Sequence, residues 1–365
     1  MSVTIEIEGN AIVYCEGAFQ TTYGKTAHGL VRFTRRYRVI AVVDSLCAGQ
    51  DAAEILDGTP KNIPVFASVE EAVAAARKTG YPATHMVIGL ATEGGYLPAP
   101  GRQAVLTAIK LGLNVDSGLH DFLTEDAEMV ELAAQHHVKL RDIRKPPPRR
   151  EQHFFSGKIN EVTCLKVIVL GTDSAVGKRT TAWLIVQGLQ KAGYTAHMVG
   201  TGQTAWMQGA PYSFILDVMV NDFLAGEIEH AVWSAWDDGH PDVIVIEGQG
   251  SMMNPAFPGG YELLAAGRPD VVILQHAPAR REYDGFPGYP MQPITRQIAA
   301  IELVSSKPVI AITINHESLT AEKIPYVCEA LQQVVGLPAI DVLIDGADEL
   351  VKVLIPHIQK KKENA

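Results

Sequence analysis

The sequence predicts an α/β protein of two domains, each built around a parallel sheet. Short apolar runs alternate with helical patterns along all 365 residues, which is typical of βαβ units. Prolines 146–148 interrupt this alternation, because proline lacks a backbone donor and cannot continue a helix or a central strand. Beyond them, a β-branched run enters a glycine-bounded loop that ends in Gly177 and Lys178 and leads into a helix-forming segment.

We therefore expect a Rossmann-like domain over residues 1–145, a proline-rich linker over 146–158 and a P-loop NTPase-like domain over 159–365. The composition, 47% apolar and 20% charged, is that of a globular protein. A net charge of −10 argues against nucleic acid as a partner.

The sequence shows neither a signal peptide nor a run of the ~20 apolar residues that a membrane helix needs. We expect a cytoplasmic protein with no membrane partner. Sheet edges and aromatic loops that need covering predict a homo-oligomer.

The elements of the first domain follow from apolar periodicity and from capping residues. Ser68 and Glu71 form a capping box that starts one helix, and Gly80 ends that helix. The Gly-x-Gly-x-x-Gly fingerprint of dinucleotide sites does not follow the first strand. The predicted strands cover residues 11–15, 38–44, 85–90, 113–116 and 138–142. The predicted helices cover residues 52–56, 68–79, 101–111 and 124–136.

One polar cluster in this domain follows a predicted strand. Asp116, Ser117 and His120 bring an acid, a hydroxyl and an imidazole together within five residues. Ligands of open α/β sheets bind beyond the carboxyl ends of the strands, so these three are candidate substrate-binding residues. The alternative is a turn in which Asp116 and Ser117 bond nearby backbone groups.

The second domain opens with the strand that precedes the glycine-bounded loop. A long helical stretch is expected over 214–236, with a break near Gly226. Other helices are predicted over 180–191 and 348–359. Further strands are predicted over 195–199, 242–246, 270–275, 309–314 and 340–344.

Residues 171–181 have the strand–loop–helix pattern of a phosphate loop, whose backbone N–H groups and lysine hold phosphates. The pattern departs from the usual one twice. Thr172 stands where a glycine is usual, and Arg179 replaces the hydroxyl residue that normally holds Mg²⁺. The predicted phosphate, CoA or nucleotide-binding residues are Gly171, Thr172, Asp173, Ser174, Ala175, Val176, Gly177, Lys178, Arg179, Thr180 and Thr181, together with Asn315 after a later strand.

Two further strand ends carry candidate chemistry. Glu247 ends a fully apolar strand and is followed by small residues that let a ligand approach the backbone. Together with Asp173 it could hold Mg²⁺, and the alternatives are an N-cap or an ion pair with Lys178. The long loop from residue 275 to 290 is rich in His, Arg and Tyr, and loops of this length are usually functional. Its arginine pair suits a carboxylate or a phosphate, although a surface pair is the alternative. The candidate substrate-binding residues are Arg280, Arg281 and Tyr283 in this loop and Gln203 in the polar loop that follows the strand at 195–199.

These motifs resemble known families. The phosphate loop and the segment from Glu247 to Gly250 resemble dethiobiotin synthetase and related ATP-dependent amidoligases, over the second domain only. A resemblance over nearly the whole chain is to a bacterial phosphate-loop family that includes D-glutamate N-acetyltransferases, which use acetyl-CoA. It rests on the Rossmann-like domain, the proline-rich connector, the variant after Lys178 (Arg179-Thr180-Thr181) and the loop Asp284-Gly285-Phe286-Pro287.

The second resemblance implies an N-acetyltransferase with acetyl-CoA as co-substrate and an amino acid, above all D-glutamate, as acceptor. A phosphate loop can hold the pyrophosphate of CoA without hydrolysing anything, and Arg179 would then replace Mg²⁺. Acetyl transfer needs a general base, for which Glu247 and then His276 are the candidates. One alternative is an ATP- and Mg²⁺-dependent ligase or kinase, with Asp173 and Glu247 as metal ligands. Another is a non-catalytic nucleotide- or CoA-sensing protein.

Overall fold

The computed structural model describes residues 6–364, which form two compact units. Of the described residues, the N-terminal unit contains residues 6–146 together with Gln203–Gly209. The phosphate-loop unit contains Pro147–Gly202 and residues 210–364. Each unit has one parallel sheet, so the predicted α/β class with two parallel sheets is confirmed.

The N-terminal unit is a doubly wound sheet of six strands. The strands are β1 (Gly9–Tyr14), β2 (Tyr37–Val43), β3 (Val65–Phe66), β4 (His85–Ile88), β5 (Asn114–Ser117) and β6 (Leu140–Asp142). Their order, β3-β2-β1-β4-β5-β6, reverses at β1 as in Rossmann folds. The helices that join them are α1 (Lys25–Arg32), α2 (Ala52–Asp57), α3 (Val69–Ala76), α4 (Ala99–Lys110) and α5 (Ala127–Gln135).

The phosphate-loop unit is built on a seven-stranded sheet. Its strands are β7 (Leu165–Gly171), β8 (Ala196–Gly200), β9 (Tyr212–Ser213), β10 (Val243–Glu247), β11 (Val271–His276), β12 (Val309–Ile314) and β13 (Ala339–Ile340). The order is β13-β12-β11-β7-β10-β8-β9, so β7 lies between β11 and β10 and all three are buried. Its helices are α6 (Lys178–Lys191), α8 (Asn221–Asp237), α9 (Tyr261–Gly267), α10 (Ile294–Ser305), α11 (Ile324–Val335) and α12 (Asp348–Glu363).

Helix α7 (Gln203–Met207) belongs to the N-terminal unit although it follows β8 in the chain. The side-chain amide of Gln208 donates to the carbonyl oxygens of Gly29 and Phe33, at 2.8 and 2.9 Å. The guanidinium of Arg36 lies 3.7 Å from the ring centre of Trp206, a cation–π contact. The N-terminal unit is therefore made of two separate pieces of chain.

Every predicted strand overlaps an observed strand, and the differences lie at the edges and in the helices. The predicted strand at 340–344 is only β13, two residues long, because its end turns back through Asp341, whose carbonyl oxygen accepts from the N–H groups of Ile344 and Asp345. Helices α1, α7, α9, α10 and α11 and the two-residue edge strands β3 and β9 were not among the predicted elements. Each of these helices lies next to a loop whose glycines and prolines obscure the periodicity.

The predicted break near Gly226 is wrong. Helix α8 runs through that residue without interruption, and it begins at Asn221 because the preceding residues from 214 are extended or in a short turn. A glycine at position 226 is explained by close packing and not by a break in the helix. A Cβ atom there would lie 2.0 Å from the carbonyl oxygen of His153, so the glycine allows the connector to pass against the helix.

The connector is fastened to α8 by a buried acid. The carboxylate of Glu229, which is 2% exposed, accepts from the N–H and hydroxyl of Ser156 and from the N–H groups of Gly157 and Ile159, at 2.6–3.2 Å. Burial alone would raise the pKa of Glu229, but these donors outweigh it and hold the pKa below its usual value. The connector is thus part of the packed unit.

Gly226→Ala tests this close approach. The added methyl group would overlap the His153 backbone, and we expect the free energy of unfolding to fall by about 1–3 kcal/mol, measured by guanidinium denaturation. Gly267→Ala is the matched helical control, because its Cβ would meet its neighbours at an ordinary 3.4 Å. We expect that variant to be as stable as the parent or slightly more so. A Gly226→Ala variant of parental stability would contradict the packing argument.

Candidate functional site

The loop between β7 and α6 forms a concave backbone that can surround an anion. Ala175 and Gly177 have φ values of +51° and +106°, so the chain turns through the left-handed region twice before α6 begins. Such turns point successive N–H groups to one side, and the positive end of the α6 dipole adds to the field there. Val176, fully buried, anchors the loop between these two turns.

Lys178 folds back over this loop. Its ammonium group donates to the carbonyl oxygens of Asp173 and Gly250, at 2.8 and 2.7 Å, and the residue is 8% exposed. Gly171 gives this side chain room, since a Cβ there would lie 2.9 Å from Cδ of Lys178 and would push the lysine aside. The lysine therefore joins the phosphate loop to the segment that follows β10.

The carboxylate of Asp173 is fully buried and receives four donors. They are the backbone N–H groups of Ser174 and Asp284 at 2.7 and 2.8 Å, the side-chain amide of Asn254 at 2.8 Å and a guanidinium nitrogen of Arg280 at 2.9 Å. Asp173 thus ties the phosphate loop to the segments after β10 and β11. In the sequence interpretation this carboxylate is a possible Mg²⁺ ligand, and here it is a hub of internal hydrogen bonds.

The guanidinium of Arg280 is engaged on both sides. One nitrogen donates to Asp173 and to the carbonyl oxygen of Ser174, and the other two contact the carboxylate of Glu317. Burial would lower the pKa of Arg280, but the two acids raise it above its usual value. The sequence interpretation makes Arg280 a substrate ligand, whereas these contacts make it a residue that positions the loop.

Glu247 is a buried acid with few partners. It ends β10, is 4% exposed, and its carboxylate accepts from the N–H of Thr201 at 2.9 Å. Burial raises the pKa of Glu247, while Arg179, Lys178 and the Thr201 contact act in the opposite direction without cancelling it. A buried carboxyl group with a raised pKa is a candidate for proton transfer.

His276 ends β11 and faces the loop. Its Nδ1 lies 2.9 Å from the hydroxyl of Thr172, the residue that replaces the usual glycine. Burial lowers the pKa of His276 to about 4, so the imidazole is neutral at physiological pH. Thr172 therefore links the first turn of the loop to β11 through a neutral histidine.

Gln275 is a buried neighbour of the loop that the sequence interpretation missed. Its side-chain oxygen accepts from the hydroxyls of Thr181 and Thr313, and its carbonyl oxygen accepts from the N–H of Thr172 at 2.9 Å. The signal in the sequence is a polar residue that ends an otherwise apolar strand. Asn254 and Thr201, which contact the two acids, were missed as well, because they lie in loops without a motif.

The other predicted residues of this unit lie at the same edge of the sheet. Asn315 follows β12, its N–H donates to the carbonyl oxygen of His276 at 2.7 Å, and its side-chain oxygen accepts from the N–H of Glu317. Tyr283 is buried, which raises the pKa of its phenol, whereas Arg281 is exposed. The structure thus places them near the carboxyl ends of the strands, where ligands of α/β sheets bind.

The remaining candidates lie in the N-terminal unit. The buried carboxylate of Asp116 binds the guanidinium of Arg141 through two contacts of 2.8 Å and accepts from the hydroxyl of Tyr37. The hydroxyl of Ser117 accepts from the N–H of Leu119, as the turn alternative predicted. His120 lies 2.8 Å from Arg144, and Gln203 packs over Gly118. Asp116 is therefore engaged in an internal ion pair.

Within residues 6–364, no group of three or more His, Cys, Asp or Glu side chains is placed to hold a metal ion. In the same part of the chain, none of the helices combines the length and the apolar character needed to cross a bilayer.

Known proteins share this architecture. Residues 45–146 match a domain of unknown function described as Rossmann-like, DUF1611_N, and residues 153–351 match its P-loop counterpart, DUF1611_C. A crystal structure of a DUF1611 family protein from Anabaena variabilis is 28% identical and covers 96% of this chain and 100% of its own, with a TM-score of 0.86.

Two relatives carry the name D-glutamate N-acetyltransferase. The one from a Pseudoalteromonas species is 32% identical over 286 residues, which is 76% of this chain and 83% of that protein. The one from Tritonibacter scottomollicae is 31% identical over 300 residues, 79% of this chain and 84% of that protein.

The fold and the loop define a two-domain α/β protein that combines a Rossmann-like unit with a variant phosphate-loop unit. The chain belongs to the DUF1611 family. The family resemblance expected from the sequence is thereby confirmed.

Asp173→Ala tests the hub of the loop. The change removes one of the two carboxylate partners of Arg280 and leaves the N–H groups of Ser174 and Asp284 without their acceptor, so we expect the free energy of unfolding to fall by about 3 kcal/mol. Denaturant unfolding measures this. Asp237→Ala, which removes an exposed acid at the end of α8, is the control and should have almost no effect. Equal stability of the two variants would show that Asp173 does not hold the loop.

Proposed function

We propose that this protein is an amino-acid N-acetyltransferase that transfers the acetyl group of acetyl-CoA to the amino group of D-glutamate. The observation that carries the proposal is the pair of relatives named D-glutamate N-acetyltransferase, at 32% and 31% identity over three quarters of the chain. The geometry of the phosphate loop agrees with it.

The phosphate loop is the proposed site for the phosphates of CoA. Its left-handed turns, the N-terminus of α6 and the ammonium group of Lys178 all favour a bound anion. Arg179 supplies a fixed positive charge at the position where nucleotide hydrolases keep a hydroxyl for Mg²⁺. A site with its own cations can bind a pyrophosphate without a metal ion.

The ATP-dependent ligase or kinase is the second candidate, and the contacts of Asp173 weigh against it. A Mg²⁺ ligand needs a free oxygen, and the Asp173 carboxylate already receives Arg280, Asn254 and two backbone N–H groups. Recruiting it to a metal would leave a buried guanidinium without this partner.

Glu247 is the proposed general base. In the reaction, the amine nitrogen forms a bond to the thioester carbonyl carbon, the carbon–sulfur bond breaks, and the CoA thiolate leaves and takes up the proton that the nitrogen loses as it becomes an amide. The α-ammonium group must first lose a proton, which Glu247 would accept because its raised pKa brings its basicity closer to that task. His276 is a weaker candidate, since its pKa of about 4 leaves little affinity for a proton.

The length of the pantetheine arm of CoA constrains how one bound molecule could reach both the phosphate loop and Glu247. The arm separates the phosphates from the thioester, whereas Glu247 lies beside the cations of the phosphate loop. The arm must therefore fold back if the loop holds the phosphates and Glu247 takes the proton. The kinetic parameter that a Glu247 variant changes distinguishes a base from a residue that only shapes the phosphate site.

The first experiment is to incubate the purified protein with acetyl-CoA and D- or L-glutamate in EDTA, without ATP, and to follow the release of free thiol. We expect release that depends on D-glutamate. S-acetylpantetheine, which lacks the phosphates, should be a much poorer donor. Absence of thiol release, together with ATP consumption when Mg²⁺ is added, would favour the ligase or kinase instead.

Glu247→Gln tests the base. We expect kcat to fall about 100-fold or more with little change in the KM for acetyl-CoA. In the parent, kcat/KM should fall as the pH is lowered through the raised pKa of Glu247, because the protonated acid cannot accept a proton. The variant should lose this limb of the pH profile. Unchanged turnover, or an effect confined to the KM for acetyl-CoA, would contradict the assignment.

A further inference from the structure

A buried amide faces the phosphate loop from β11. Gln275 is 2% exposed, and its neighbour in the sheet is Gly171, the last residue of β7. A Cβ atom built on Gly177 would lie 3.6 Å from the side-chain nitrogen of Gln275, which is the nearest atom to that position. The amide nitrogen therefore covers the last glycine of the loop, directly before α6 begins.

Two hydroxyl groups fix the orientation of this amide. Thr181, in the first turn of α6, and Thr313, in β12, both donate to the side-chain oxygen of Gln275. A hydroxyl group that donates a hydrogen bond needs an acceptor. The amide oxygen can accept, whereas the amide nitrogen can only donate. The oxygen is thus held away from the loop and the nitrogen is held toward it.

The side-chain nitrogen of Gln275 differs from the oxygen in its hydrogen bonding. Within residues 6–364 it donates no hydrogen bond, although a buried amide normally has partners for both ends. It lies instead against a loop whose backbone is arranged for an anion. The missing acceptor is best supplied by a ligand.

We propose that Gln275 is a ligand-binding residue whose side-chain nitrogen donates a hydrogen bond to a phosphate oxygen held in the phosphate loop. This inference rests on the proposed function, in which that phosphate belongs to CoA. Thr181 and Thr313 are positioning residues, because they act through the amide. A neutral donor at this point favours an anionic oxygen and disfavours a metal ion, in keeping with the charge supplied by Arg179.

The test is Gln275→Glu in the full chain, with CoA and inorganic pyrophosphate as probes for calorimetry in EDTA. The introduced carboxyl group can still accept from Thr181 and Thr313, but when ionised it turns an oxygen toward the phosphate. We expect binding to weaken at least about tenfold at alkaline pH. Binding should recover as the pH is lowered, because a protonated carboxyl group can donate as the amide does. The parent should show no such recovery.

Two further variants sharpen the test. Gln333→Glu makes the same change in charge on the exposed face of α11 and should bind both probes as the parent does. Thr313→Val removes one of the hydroxyls that orient the amide, and we expect a weaker but measurable loss of affinity. Thermal melting of all three variants reports whether they are folded.

The outcomes separate this inference from the proposed function. If the parent binds CoA and the Gln275→Glu variant binds it equally well, the role of Gln275 is overturned and the CoA site survives. A loss of binding that does not depend on pH and accompanies a lower melting temperature would assign Gln275 to packing alone and would also overturn the inference. If the parent binds neither probe, the proposed phosphate site is overturned, and the inference with it.

Discussion

The buried contact between the carboxylate of Asp173 and the guanidinium of Arg280 is the constraint on which the phosphate loop depends. The loop turns twice through the left-handed region, a conformation that persists at a non-glycine residue such as Ala175 only when the surrounding structure supports it. Asp173 and Arg280 tie it to neighbouring segments. A buried charge that lost its partner would be costly, so the loop, the segment after β10 and the segment after β11 stabilise one another.

The two acids of this region have opposite surroundings. Asp173 is surrounded by donors, whereas Glu247 has one backbone donor for its carboxylate and is buried at the end of a central strand. The first arrangement suits a structural role, and the second leaves a carboxyl group whose pKa is raised. Pairs of acids that differ in this way are common where one holds a site together and the other moves a proton.

The sequence was sufficient for the sheets and for the phosphate loop, because buried parallel strands read as apolar runs and the loop has a motif. It also placed Glu247 at a strand end. It could not show that Arg280 bonds Asp173, since their partnership spans more than a hundred residues. It missed Gln275 for a related reason. The importance of that amide comes from Thr181 and Thr313, which only the fold brings beside it.

Helix α7 has a consequence for how this protein can be divided. A fragment that stops at the prolines would contain all six strands of the first sheet but would lack Gln203–Gly209. The main-chain carbonyls of Gly29 and Phe33 would lose the Gln208 amide, and Arg36 would lose the indole on which it stacks. The first half of the chain is thus not a self-sufficient module, and exchanging it between family members would require the seven-residue insert to be exchanged with it.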